Sequence, residues 1–193
     1  HTYRDLQDHL KALDDAGLLW TIDEPVDKDS EMHPLVRWQF RGGLAESDRK
    51  AFLFTNVVNG NGRKYDIPVA VGALAVNQKV YGVGMGVQID EIAEKWHRAI
   101  NNPIPPRIIN AAPCQEIVWE ADDLIGEGKG LDALPIPVST PGFDSAPTLS
   151  ATNCITKDPK TGVYNMGTYR CGLKASDRLV IRMATRVGGA GGY

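Results

Sequence analysis

The sequence predicts an α/β domain over residues 1–112, followed by the opening of an antiparallel β domain over residues 113–193. Three observations carry this. Segments with helical periodicity alternate with short apolar runs over the first hundred or so residues, the rhythm of an α/β layer. After a proline- and glycine-rich stretch at 131–147, apolar and polar residues alternate in runs separated by turn formers. The charge also changes sign: residues 157–193 hold seven Lys/Arg and two acids, net +5, which leaves −8 on the first 156.

Each element has a local reason. Residues 3–16 read as a helix with Leu6, Leu10 and Leu13 on one face and Gly17 as its C-terminal cap. Residues 18–22 read as a short strand ended by Pro25. Ser30 is placed to cap a second helix, with Pro34 in its first turn. Residues 51–54 read as a buried strand, 59–62 as a turn, and 68–75 as another apolar strand. Ile89, Ile92, Ala93, Trp96 and Ile100 follow helical spacing until the prolines at 103, 105 and 106 stop the helix. Residues 113–119 read as a strand, and 148–156, 163–174 and 178–185 as three more.

Composition narrows the class. Apolar content of 42% and charged content of 23% are ordinary globular values. No run approaches the 18 or so apolar residues of a membrane span. The start is a polar amphipathic segment and not a signal peptide, and Cys114, Cys154 and Cys171 show no paired spacing, so a reducing, cytoplasmic setting is expected. A net charge of −3 argues against a general nucleic-acid binder. The basic C-terminal segment is a local anion attractor on an acidic body. The chain lacks an initiator Met and stops in a glycine run, so it is expected to be a piece of a longer protein.

Several chemistries find little support. The four histidines, His1, His9, His33 and His97, form no HExxH and sit far in sequence from the basic segment; no GxSxG is present. Gly82, Gly84 and Gly86 match neither phosphate-loop fingerprint and are read as a loop near a helix start. Glu116, Glu120, Asp122 and Asp123 are read as a solvated acidic edge. The informative stretch is ITKDPKTGVYNMGTYR at 155–170, a hairpin bearing an amide at Asn165 and a guanidinium at Arg170. A regular strand would put residues five apart on opposite faces. Gly167 between them permits a bend, and the expectation is that a bent strand turns both groups to one cavity, with Asn165 toward a cation and Arg170 toward a phosphate or carboxylate.

At these residues the sequence resembles the UbiD family of decarboxylases. The likeness lies in the string at 155–170, in L-x-x-R at 179–182, in GGA at 188–190, and upstream in LPIP at 134–137 and PGFD at 141–144. The resemblance implies a split β-barrel, flavin-reductase-like cofactor domain beginning at residue 113 and truncated here. It implies prenylated FMN, with its phosphate held through a divalent metal, usually Mn2+, and K+ nearby. Asn165 takes the role of a metal ligand, Arg170 is the catalytic residue, and Thr168, Tyr169, Arg170, Arg182, Met183, Ala184 and Gly188 meet the cofactor. Where many members have a histidine and an arginine before the glycine pair, this chain has Arg186 and Val187, which leaves Arg186 to bind the phosphate directly.

The activity implied is a reversible, non-oxidative decarboxylation of an aromatic or α,β-unsaturated acid by a cytoplasmic homo-oligomer, with a flavin prenyltransferase supplying the cofactor. A glutamate ligand and an acidic proton donor are implied beyond residue 193, so residues 1–193 alone are expected to be inactive. Two other readings stay open. A flavin-binding or assembly module needs the basic strand but not Arg170, and a purely structural piece leaves that strand exposed.

Overall fold

Helix α1 (Leu6–Asp15) starts where the Asp5 carboxylate accepts the N–H of Asp8 at 2.9 Å, and ends before Gly17, whose φ of +68° is the left-handed turn that glycine tolerates. This computed structural model describes residues 3–181. The described chain falls into two groups. One comprises residues up to Val26, Leu35–Val57 and Asp66–Val118; the other comprises Asp27–Pro34, Val58–Tyr65 and the residues from Trp119 on. Among the described residues no helix is long and apolar enough to cross a membrane.

The first group is built on a three-stranded sheet. Strand β1 (Leu19–Ile22) is followed by β2 (Val26–Asp27), helix α2 (Met32–Arg41) and β3 (Ala51–Phe54). The short β4 (Val57–Val58) and β5 (Lys64–Tyr65) lead to β6 (Val69–Val71). Strands β1 and β3 run parallel with Leu19 opposite Ala51, and β3 and β6 run antiparallel with Leu53 opposite Ala70. A separate ribbon has the order β2-β4-β5. Leu13, Leu18, Ala51, Ala73, Val76 and Val80 form a buried apolar cluster, with Leu10, Leu19, Ala70 and Val83 packed on it. His9 enters this region from α1, its Nε2 2.7 Å from the carbonyl oxygen of Ala73. A carbonyl only accepts, so Nε2 carries the proton.

Three expectations need correction here. The glycines at 82, 84 and 86 are not a loop: residues 78–85 form helix α3 (Gln78–Met85), and only Gly86 lies beyond it, at φ +64°. Asn77 caps the helix by accepting the Val80 N–H at 2.8 Å, and Val80 is buried, so cap and packing outweigh the poor helix propensity of two glycines. The strand expected over 68–75 stops at Val71, where Gly72 turns at φ +75°. The strand expected over 113–119 is absent: Pro113–Gln115 is a single 3-10 turn, and Ile117 and Val118 are exposed without a pairing strand. The helix expected over 89–100 is present as a 3-10 turn, Ile89–Glu91, running into α4 (Ile92–Asn101).

In the second group a buried lysine joins segments far apart in sequence. Lys28 is 6% exposed; its Nζ donates to both Asp29 carboxylate oxygens at 2.8 and 2.9 Å and to the Ile136 carbonyl at 2.9 Å. Asp29 also accepts the Val138 N–H at 3.2 Å. Between Ile136 and Val138, Pro137 accepts the Thr148 N–H at 2.8 Å and so ties the proline-rich loop to strand β7 (Thr148–Lys157). Strands β8 (Tyr164–Ala175) and β9 (Arg178–Ile181) complete an antiparallel sheet of order β7-β8-β9. Nearby, Asp132 accepts from Arg63 at 2.8 Å and from the Gly128 N–H at 2.6 Å.

Two outcomes follow from these contacts. Lys28→Ala should lower stability by about 3 kcal/mol in urea melts, because it strands a half-buried carboxylate and a buried carbonyl. The Asp132 carboxyl is held below its usual range, first by the Gly128 N–H and then by the Arg63 guanidinium, against the opposing effect of burial. A depressed folded pKa stabilises above the unfolded value of about 3.9 and loses that contribution as pH falls through the folded value. The side chain is two-fifths exposed, so Asp132→Asn should cost only about 1 kcal/mol at pH 7, and the difference from wild type should shrink steadily in melts taken below about pH 3.9.

Candidate functional site in the hairpin

The hairpin of β7 and β8 is closed by a turn whose sequence dictates its shape. Asp158 Oδ1 accepts the N–H groups of Lys160 at 2.7 Å and Thr161 at 3.1 Å, and Gly162 takes φ +73°. Those two N–H groups hold the Asp158 carboxyl below its usual range. The Asp158 N–H then bonds the Val163 carbonyl and starts the ladder with Lys157 opposite Tyr164.

From Asn165 to Tyr169 the register against β7 is unbroken: Thr156 faces Asn165, Cys154 faces Gly167 and Thr152 faces Tyr169. The irregularity lies on β7 between Leu149 and Thr152, beyond Tyr169. Side chains therefore alternate without a bend. Asn165, Gly167, Tyr169 and Cys171 lie on the more buried face, and Met166, Thr168 and Arg170 on the exposed one. The expectation that Asn165 and Arg170 share one cavity through a bend at Gly167 is overturned. Gly167 has another use: a Cβ there would sit 2.6 Å from the Tyr169 ring, so the missing side chain makes room for the ring.

On the exposed face Thr168 donates to Asn153 Oδ1 at 3.4 Å. Arg170 Nη2 donates to Asp144 Oδ2 at 2.7 Å, the guanidinium half exposed and the carboxylate 12% exposed. Asp144 ends a turn in which Thr140 accepts the Phe143 N–H at 3.0 Å and the Asp144 N–H at 2.9 Å, with Gly142 at φ +85°. Pro141 and Gly142 at the centre give the form of a type II turn. Sequence reasoning quoted Asp144 within PGFD but gave it no partner; a charged residue beside such a turn was the available signal.

The more buried face carries the features that test a fit to a flavin phosphate and its metal. Thr152 Oγ1 is buried without a hydrogen-bond partner, opposite Tyr169 and on the same face as Asn165. That hydroxyl and the Asn165 amide are polar groups four positions apart on this face, each chemically suited to a polar ligand. Among the described residues no group of three or more His, Cys, Asp or Glu side chains gathers into a metal cage. Burial, then the neighbouring Cys171, pushes the Cys154 thiol up, which keeps it protonated and a poor nucleophile. Arg182, Met183, Ala184, Arg186 and Gly188 lie outside the described residues.

Comparison with known proteins places this hairpin in context. The domain family described as the 3-octaprenyl-4-hydroxybenzoate carboxy-lyase N-terminal domain matches residues 10–100, and the Rift-related domain of the same carboxy-lyase matches 107–192. Among solved structures, an evolved dimeric form of the UbiD-class enzyme HmfF from Pelotomaculum thermopropionicum, in complex with prFMN, superposes with a TM-score of 0.77 at 27% identity, over 94% of this chain and 38% of that one. The same enzyme in complex with FMN gives 0.75 at 29% identity, over 94% and 37%. The closed form of vanillic acid decarboxylase from Sedimentibacter hydroxybenzoicus shares the fold, at 0.76 and 23% identity, over 96% and 38%. The chain thus spans less than two-fifths of the length of these chains.

Gly167→Ala should push the Tyr169 ring off its seat while leaving the strands paired. The near-ultraviolet circular dichroism of tyrosine should change and the far-ultraviolet spectrum should not.

Proposed function

The chain belongs to the UbiD family of carboxy-lyases, and on that premise we propose that the protein it builds is a non-oxidative, reversible decarboxylase of an aromatic or α,β-unsaturated acid that uses prenylated FMN. The observation that carries the reading is Arg170. It stands in the matched region with one edge of its guanidinium taken by Asp144 and about half of the side chain open to solvent. An open guanidinium edge grips a carboxylate in two parallel hydrogen bonds, which fixes the plane of the acid and the direction of the bond to be broken. Its charge also stabilises the carboxylate group as the bond lengthens.

The cofactor assignment is supported by HmfF, which binds prFMN in one structure and FMN in another. When bound, prenylated FMN supplies an electron sink for the pair left behind as CO2 departs. On this chain Thr168, Tyr169 and Arg170 would hold it, together with Arg182, Met183, Ala184, Arg186 and Gly188 from the segment that follows β9. Asn165, on the same face as the unpartnered Thr152 hydroxyl, would face the phosphate and its Mn2+, with K+ nearby. Assembly into a homo-oligomer, supply by a flavin prenyltransferase and a cytoplasmic setting belong to the same proposal.

The opposite-face placement of Asn165 and Arg170 favours a second reading, in which the Asn165 face binds a flavin without decarboxylation. The two readings separate in one experiment on the full-length protein loaded with prenylated FMN. Arg170→Ala should cut CO2 release from a panel of aryl and α,β-unsaturated acids by about 100-fold or more, with the flavin absorbance of the purified protein retained. Wild-type turnover in the variant would remove the role given to Arg170, and a wild type that binds flavin but releases no CO2 would leave the binding module.

A further inference from the structure

We infer that Asp144 is a positioning residue for Arg170: it fixes the guanidinium in one orientation and leaves its opposite edge free for the substrate carboxylate. The inference rests on the decarboxylase reading and adds a residue to it. Four observations meet at this pair. The carboxylate is only 12% exposed, whereas its arginine is 48% exposed, so the acid belongs to the rigid body and the base to the open side. The contact is a single 2.7 Å bond through Nη2, and among the described residues the guanidinium has no other hydrogen-bond partner, so most of its five donors remain available. The Thr140–Asp144 turn that carries the acid is closed by two backbone hydrogen bonds to Thr140 and shaped by Pro141 and by Gly142 at φ +85°. That turn lies between two ties to the sheet, Thr148 N–H to Pro137 and Leu173 N–H to Pro147, both at 2.8 Å.

Magnitudes separate this role from simple stabilisation. An ion pair with a half-exposed partner contributes little in water, while burying a carboxylate carries a desolvation cost, so the pair returns little as a fastener. Holding a long arginine still is different. A free guanidinium on a strand face samples several rotamers, and one misplaced by about 1 Å loses much of the benefit of orientation. Asp144 removes that freedom without occupying the edge that the acid needs.

The experiment uses the full-length protein and two readouts. The first needs neither cofactor nor turnover: phenylglyoxal labelling of Arg170, followed by peptide mass mapping, should be several-fold faster in Asp144→Ala than in wild type, with Asp144→Asn between them. An unchanged rate would overturn the pair. The second is kinetic. In the loaded enzyme Asp144→Ala should lower kcat/KM by about tenfold or more with flavin absorbance unchanged, and Asp144→Glu should recover part of it. In an Arg170→Ala background the same substitution should cost nothing further, since a residue acting through Arg170 has nothing left to position. Wild-type kinetics in Asp144→Ala, or losses that simply add in the double variant, would overturn the positioning role. A wild type that releases no CO2 would sink the decarboxylase reading and the kinetic half of this inference with it, and the labelling rates would still decide whether Asp144 holds Arg170.

Discussion

The second group of this protein hangs on a charge placed where water cannot reach it. Lys28 is tolerated inside because Asp29 and the Ile136 carbonyl take its donors. The cost of desolvating an ammonium makes that arrangement close to all-or-none. Its partners set the path of the proline-rich loop, that loop sets where β7 begins, and the turn between Pro137 and Thr148 delivers Asp144 to Arg170. A series of side-chain and backbone hydrogen bonds thus runs from Lys28, just after β2, to the guanidinium of the candidate site.

The amino-acid sequence made the local pieces readable and the long-range ones opaque. Leu6, Leu10 and Leu13 announced α1 because helical periodicity is written in spacing, and Asp158 with Gly162 announced the hairpin turn because aspartate bonds nearby backbone N–H groups and glycine accepts a positive φ. Helix α3 was misread because glycine composition was weighed and the Asn77 cap was not. Lys28 looked like any surface lysine: its acceptor Ile136 lies 108 residues away, and no local pattern encodes that distance. Arg170 was legible through its motif, but its partner Asp144, 26 residues upstream, was not.

The two faces of β8 show how much a single register decides. An odd spacing on a strand whose burial alternates separates Asn165 from Arg170, whatever their joint chemistry would favour, and the glycine between them serves an aromatic ring instead of a bend. The more buried face keeps an amide and an unpartnered hydroxyl, and the open face keeps the guanidinium. A ligand that met both would have to reach around a strand edge, so the shape of whatever lies along that edge matters as much as the residues themselves.

Among the described residues β9 pairs with β8 from Cys171 to Ala175, and the outer length of the hairpin is a ribbon of two strands. It carries Ile155 at 69% and Met166 at 67% exposure on one side. Two strands with bare apolar side chains are marginal in water by themselves. A neighbour laid over this ribbon would lend order to the residues that include Asn165 and Thr168. Anything that covers the ribbon would then tune its local order and its hold on a ligand together.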